Sequence, residues 1–206
     1  MTEYNYKNVA SEYDDLLKQY KWQAPELLLD YLSKHIRKGT KLLDIGVGTG
    51  ISSQRFHPLQ VELYGLDNSP DMLAICEAKQ LFKEVRLFDI LNEDIPYPDA
   101  TFDYVICSGV LHFFPDLDSI FAKISRVVKS SGLFAFTLME NRKDQNPYYA
   151  EISHGVNIYH HSRGYIEALN QQQHFTRLHE QVFTTVKDLD TGATQDHTLM
   201  VLKKRG

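Results

Sequence analysis

Cysteine is scarce: Cys76 and Cys107 are the two in 206 residues. That excludes a disulfide-stapled fold and fits a reducing compartment, so the expected location is the cytoplasm. No run approaches the ~18 uninterrupted apolar residues of a spanning helix, so no membrane insertion is expected. The opening residues Met1-Thr2-Glu3-Tyr4-Asn5-Tyr6-Lys7 lack the apolar core of a secretory signal. Basic residues are not in excess either. Lys and Arg number 22 against 27 Asp and Glu, for a net charge of −5, which argues against a broad nucleic-acid footprint. Repeats and low-complexity tracts are absent. With 43% hydrophobic and 24% charged residues, the chain reads as a single globular domain over 1–206.

What the chain does have is Lys41-Leu42-Leu43-Asp44-Ile45-Gly46-Val47-Gly48-Thr49-Gly50. Leu42, Leu43 and Ile45 form a short buried strand that runs into three glycines spaced two apart. Glycine there permits a sharp turn with φ > 0 and lets a ligand lie against bare main chain. Asp67 ends a second strand-like run, Val61-Glu62-Leu63-Tyr64-Gly65-Leu66. A carboxylate at the tip of the neighbouring strand suits a ribose diol, so a nucleoside-bearing cofactor is expected. Spacing narrows the choice. A dinucleotide fingerprint needs a small residue where Ile51 stands, which disfavours NAD and FAD. No Gly-Lys-Ser/Thr follows the glycines, which excludes a phosphate-binding P-loop.

Further runs follow in order: Gly65-Leu66-Asp67-Asn68-Ser69-Pro70-Asp71-Met72-Leu73, then Val85-Arg86-Leu87-Phe88-Asp89-Ile90. After them come Phe102-Asp103-Tyr104-Val105-Ile106-Cys107-Ser108-Gly109-Val110-Leu111-His112 and Gly132-Leu133-Phe134-Ala135-Phe136-Thr137. Ser69 is placed to cap a helix that begins at Pro70. Together with Asp44, Gly46, Gly48 and Gly50, the set resembles the class I S-adenosylmethionine (SAM)-dependent methyltransferases over roughly 40–140. The resemblance implies an α/β fold: a Rossmann-like, doubly wound sheet of seven strands in the order 3-2-1-4-5-7-6, the last antiparallel, with helices on both faces. It implies SAM as cofactor and S-adenosyl-L-homocysteine as product. It also implies roles. Asp67 grips the ribose, Asn68 and Met72 line the adenine pocket, and Asp89 with the backbone of Ile90 reads the adenine edge. Gly46, Gly48 and Gly50 admit the amino-acid portion, Asp44 orders the glycine loop or meets the ammonium, and Ser108 faces the methionine chain. Tyr13 resembles the aromatic of an N-terminal helix that covers the cofactor.

Periodicity predicts helices over 25–36, 116–131 and 165–172, the second of which carries Leu117, Ile120, Phe121, Ile124, Val127 and Val128 on one face. Strands are expected over 177–187 and 198–204, joined at the turn Asp190-Thr191-Gly192. Two aromatic-rich segments, 1–24 and 138–163, are expected to fall outside the sheet and form a substrate-side lid, the second as a long loop. Their candidates are Tyr20, Tyr149, His154, Tyr159, His160 and His161.

The expected reaction is in-line methyl transfer to a small-molecule acceptor. His112 is the candidate general base, because an unperturbed imidazole titrates near neutrality. No metal is implied, since adjacent His160 and His161 diverge and lack a third ligand. Asn146-Pro147-Tyr148-Tyr149 resembles the Asn-Pro motif of nucleic-acid amino methylation, but it follows the fifth strand instead of the fourth, so that activity is not expected. Two other readings are a noncatalytic SAM- or nucleoside-binding regulatory protein and, disfavoured by Ile51, a nicotinamide oxidoreductase.

Overall fold

A computed structural model describes residues 12–141, 146–153 and 155–206. His154 and the tyrosines at positions 4 and 6 lie outside the described residues. Five parallel strands set the frame: β1 (Lys41–Ile45), β2 (Glu62–Asp67), β3 (Glu84–Leu87), β4 (Phe102–Cys107) and β5 (Val128–Asn141). They lie side by side in the order 3-2-1-4-5. Two further strands, β6 (Tyr148–Ser153) and β7 (Val156–Ser162), form a hairpin, and β8 (Phe175–Val186) and β9 (Thr194–Lys204) form a second. β9 runs antiparallel to β5 and carries β8 on its far side. Leaving the β6–β7 hairpin out of the numbering, the order is the expected 3-2-1-4-5-7-6.

The hairpin is the main departure from the seven-strand expectation. The segment expected to be loop pairs along its length, and β7 continues the sheet beside Met139, Glu140 and Asn141 at the end of β5. Gly155, at φ +81°, supplies the turn. Its strands alternate Val156, Ile158 and His160 on one face with Asn157, Tyr159 and His161 on the other, the period of two that a pleated strand requires.

Alternation also divides the core. Leu43, Ile45, Val105, Phe134 and Phe136 face one side, where helix α4 (Asp118–Val127) delivers Ile120, Phe121 and Ile124 and helix α5 (Arg163–Gln172) delivers Ile166 and Leu169. Leu42, Leu63, Ile106, Ala135 and Val201 face the other, under Leu28 and Leu32 of helix α2 (Ala24–Leu32). Helix α1 (Tyr13–Gln19) precedes them, and helix α3 (Pro70–Ala78) follows β2. Ser69 caps α3 through the Met72 N–H, and Pro70 opens it, as the sequence predicts.

The helix expected over 116–131 ends at Val127. Val128 already pairs with Phe102, and Ser131, at φ +64°, makes the bulge that brings Leu133 opposite Tyr104. Gly132 therefore sits inside β5, where an added Cβ would lie 2.9 Å from the Asp103 carbonyl oxygen. Because the central strands are parallel, their C-terminal ends share one edge, and that edge is where open α/β sheets bind ligands. No helix among the described residues is long and apolar enough to cross a membrane.

Candidate functional site

At the end of β1 the chain turns through Gly46 (φ +70°), Gly48 (φ +54°) and Gly50 (φ +82°). The three do different jobs. An added Cβ on Gly46 would lie 2.3 Å from Val110 Cγ2, and one on Gly50 would lie 2.9 Å from Phe82 Cζ and 3.1 Å from Cys76 Sγ. Gly48 faces open space, with nothing within 4 Å of such an atom. At Gly50 the bare Cα also seats the Phe82 ring. Gly46→Ala is expected to cost about 2–5 kcal/mol, combining left-handed backbone strain with overpacking against Val110. Gly48→Ala meets only the backbone strain, about 1–2 kcal/mol. Urea denaturation of the two variants checks this, and a larger loss at Gly48 would contradict the assignment.

Asp67 closes the loop from β2. One carboxylate oxygen accepts the Gly48 N–H at 2.7 Å and the other accepts the Ser69 N–H at 2.9 Å. Burial raises its pKa, against the opposing pull of these backbone donors. A carboxylate has about four lone-pair sites, so acceptor capacity remains on both oxygens. Asp89 lies past the end of β3, with its oxygens engaged by the Leu91 N–H (2.9 Å) and the Asn92 side-chain amide (2.7 Å). Those hydrogen bonds, from Asn92 first, hold its carboxyl below the usual range. Asn68 is exposed, whereas Met72 and Ile90 are buried.

Beside the glycine loop opens a cavity of about 270 Å³. Asp44, Gly46, Gly48, Ser108 and His112 line its sheet side, and Tyr13 of α1 and Tyr20, just past its end, line it opposite. Asp67, Asn68, Met72, Asp89 and Ile90 fall outside this lining, on the neighbouring edge where β2 and β3 end. Helix α1 is latched over the loop: Asp14 accepts from the Thr49 hydroxyl and pairs with Lys79 Nζ at 3.1 Å. Opposite, one face of the β6–β7 hairpin contributes Glu151 and Ile158, and the β8–β9 hairpin contributes Lys187, Gln195 and His197. Trp22 packs edge-on against His197 (5.0 Å) and Phe183 (5.4 Å) and closes the floor.

Electrostatics within this cavity are unusual in being set by burial. Asp44 is 1% exposed, and desolvation pushes its carboxyl up to about 7, with the Ser53 hydroxyl opposing and Asp67 adding to the rise. His112 was expected to serve as a base because it needs no tuning. Burial overturns that ground by driving its pKa down to about 3, with His197, His161 and His160 reinforcing the shift. At neutral pH it is an uncharged imidazole and a weak base. His197 is likewise pushed down to about 4, mainly by burial. Glu151 is held below its usual range: burial opposes this, but Lys187 at 2.8 Å and His160 outweigh it.

The substrate-side candidates separate by strand period. Tyr149 and His160 are cross-strand partners on the hairpin face that carries Glu151 and Ile158, and their rings stack at 4.4 Å. Tyr159 and His161 point to the opposite face, and His161 Nε2 lies 2.9 Å from the Phe114 carbonyl oxygen. Neither lines the cavity, which corrects their assignment. Glu151, Lys187, Gln195 and His197 escaped the sequence reading. Each is a lone polar residue without a motif, and the hairpin that carries Glu151 was signalled only weakly, by Gly155.

The residues present suit the amino-acid end of an adenosyl cofactor. Asp44 Oδ1 and Ser108 Oγ are buried, lack hydrogen-bond partners and belong to residues of the cavity wall. An acceptor and a hydroxyl beside the open Gly48 backbone match an α-ammonium and a carboxylate.

Residues 43–136 match the family profile described as a methyltransferase domain. An uncharacterized methyltransferase of Bacillus subtilis, YcgJ, is 28% identical over 138 residues, covering 66% of this chain and 54% of that protein. A demethylmenaquinone methyltransferase of Bacillus licheniformis is 31% identical over 137 residues, covering 62% and 57%. The chain thus spans about half the length of the curated relatives it matches. Among solved structures, YcgJ superposes with a TM-score of 0.71 at 16% identity, covering 89% of this chain and 99% of that one. A Burkholderia thailandensis 1,6-didemethyltoxoflavin N1-methyltransferase, solved with that compound and S-adenosylhomocysteine, gives 0.70 at 17% identity, covering 98% and 86%. Glycine loop, strand-end carboxylates and sheet order agree with these likenesses: residues 43–136 carry a methyltransferase-domain match, and the chain shares the fold of the solved methyltransferases.

Proposed function

We propose that the chain transfers a methyl group from SAM to a small-molecule acceptor held in the 270 Å³ cavity. The observation that carries this reading is continuity: one cavity runs from Asp44 and Gly48 to Glu151 and His197. A noncatalytic binding protein has no need of such a chamber beside the donor. A relative named for demethylmenaquinone and a neighbour solved with 1,6-didemethyltoxoflavin are consistent with a small acceptor.

When bound, SAM supplies a methyl group on a sulfonium that is already a good leaving group. The chain's task is then to align and to exclude water, which is worth on the order of 7–11 kcal/mol. Asp67 accepts from the ribose diol, and Asp44 accepts from the α-ammonium. Asn68, Met72, Asp89 and the Ile90 backbone surround the adenine edge. Tyr13 and the latched α1 cover the donor, and the β6–β7 hairpin covers the acceptor. Tyr20 and Trp22 give the acceptor apolar walls. His112, uncharged, orients it by hydrogen bonding and does not remove a proton, so the favoured acceptor is one that attacks without prior deprotonation by the enzyme.

Calorimetry with SAM and with S-adenosylhomocysteine, followed by transfer of a labelled methyl group to a fractionated metabolite extract, tests the reading. Saturable heat and a labelled small product are expected. At ~100 times its dissociation constant, ligand adds about 2.7 kcal/mol of stability, visible as a melting shift. No heat with either compound would end the proposal.

A further inference from the structure

Four buried polar atoms without hydrogen-bond partners belong to residues of the 270 Å³ cavity wall: Asp44 Oδ1, Ser108 Oγ, His112 Nδ1 and His197 Nδ1. Asp44 and Ser108 are taken by the amino-acid end of the cofactor in the reading above. The two imidazoles are left, with ring centroids 6.5 Å apart.

The hydrogen-bond pattern around His197 fixes where its proton sits. Its Nε2 lies 3.1 Å from Thr185 Oγ1. That hydroxyl has a single proton and donates it to the Gln195 carbonyl oxygen at 3.3 Å, so toward the ring it accepts. Nε2 therefore carries the imidazole's hydrogen. Burial pushes the pKa of the ring down to about 4, so at neutral pH it is uncharged and Nδ1 is a bare lone pair. Phe183 stacks on the ring at 5.4 Å and Trp22 meets it edge-on at 5.0 Å, which holds its orientation. A buried acceptor left in that state is rare in a folded chain, and a bound molecule that donates to it is one way to complete it.

Charge along the rest of the wall narrows the ligand. Glu151 is engaged by Lys187 at 2.8 Å and by His160 at 3.3 Å, which spends that ion pair within the protein. The other carboxylate of the wall, Asp44, belongs to the donor end. A cation thus finds no spare carboxylate at the acceptor end, and an anion would meet the His197 lone pair. Tyr20, Trp22, Phe113 and Ile158 offer aromatic and apolar surface instead.

Resting on the reading that this cavity holds the methyl acceptor, we propose that the acceptor is an uncharged aromatic or heteroaromatic molecule that donates an N–H or O–H to His197 Nδ1. His197 is then the residue that selects it, and Thr185 is the positioning residue that sets the tautomer. A ring of the same shape without the donor leaves the lone pair unpaired, and sites built this way discriminate strongly against such analogues.

The test uses the full chain saturated with S-adenosylhomocysteine, titrated in a calorimeter with matched rings. Indole is set against benzofuran, and phenol against fluorobenzene; the second of each pair keeps the shape and lacks the donor. In at least one pair the donor is expected to bind roughly ten-fold more tightly. His197→Phe, which keeps an aromatic ring beside Trp22 and Phe183, is expected to abolish that preference. Thr185→Val frees the tautomer, so the preference is expected to shrink about three-fold or more. In the unsubstituted chain, ring-nitrogen NMR is expected to find hydrogen on His197 Nε2 and none on Nδ1, a readout independent of how the variants fold. Equal affinities in both pairs, no binding by any of the four, a preference that survives His197→Phe, or hydrogen on Nδ1 would overturn the proposal. The S-adenosylhomocysteine titration separates the two readings: failure of that step refutes the donor site, whereas success without donor preference refutes this inference alone.

Discussion

Lowering the pH from 7.5 to 5 is expected to remove roughly 6 kcal/mol of stability through three buried imidazoles, about 2 kcal/mol each. His112, His161 and His197 have folded pKa values of about 3, 4 and 4, all lowered from 6.5 mainly by burial. Between those values and 6.5 the unfolded chain binds more protons than the folded one, so stability falls as pH falls. Asp44 works in the opposite direction. Its folded pKa of about 7, against 3.8 unfolded, means the folded chain binds the extra proton, so stability rises as pH falls through 7. That returns about 2–3 kcal/mol by pH 5, leaving a net loss of roughly 3–4 kcal/mol. Urea denaturation at pH 7.5, 6 and 5 measures the slope. Asp44→Asn should make the acid loss steeper, and His112→Phe should make it shallower. A flat profile, or a shallower one in Asp44→Asn, would show that these groups do not govern the response.

Asp67→Ala is expected to weaken SAM binding by roughly 10²- to 10⁴-fold. Two charge-assisted hydrogen bonds to the ribose, about 1.5–3 kcal/mol each, account for the range. The substitution also strips the Gly48 and Ser69 N–H groups of their acceptor, which costs stability in the unliganded protein. Binding is therefore best measured by calorimetry at low temperature on a variant whose circular dichroism matches the parent. Asp89→Asn should do less, because the amide keeps one acceptor oxygen at that position, whereas alanine at 67 removes both. Near-native affinity in Asp67→Ala would remove the ribose from this carboxylate.

Legibility in the sequence followed the strength of the local constraint. The turn at Gly46, Gly48 and Gly50, the cap Ser69-Pro70 and the carboxylate after Leu66 were readable because backbone geometry admits few residue types there. Tyr13, Tyr20, Asp44, Gly46, Gly48, Ser108 and His112 all reached the cavity wall. The separate duties of the glycines were not readable, because they depend on Val110 and Phe82, distant in sequence. The β6–β7 hairpin was hidden by polar and aromatic residues that mask its period, with Gly155 the weak clue. Periodicity overran the end of α4 because Val128 fits either a helix face or a strand, and pairing with Phe102 decides between them. The depressed His112 pKa follows from burial by elements far along the chain, so spacing carried no trace of it.

The β6–β7 hairpin joins the parallel frame through three register pairs, Met139 with His160, Glu140 with His161 and Asn141 with Ser162. Its outward strand edge does not carry the donor loop, which hangs from β1 and β2. Under the proposed function, the donor loop and the hairpin's share of the acceptor wall therefore lie on separable stretches of chain. A redesigned insert between Asn141 and Arg163 is the economical route to new recipients, since it leaves the adenosyl cradle untouched.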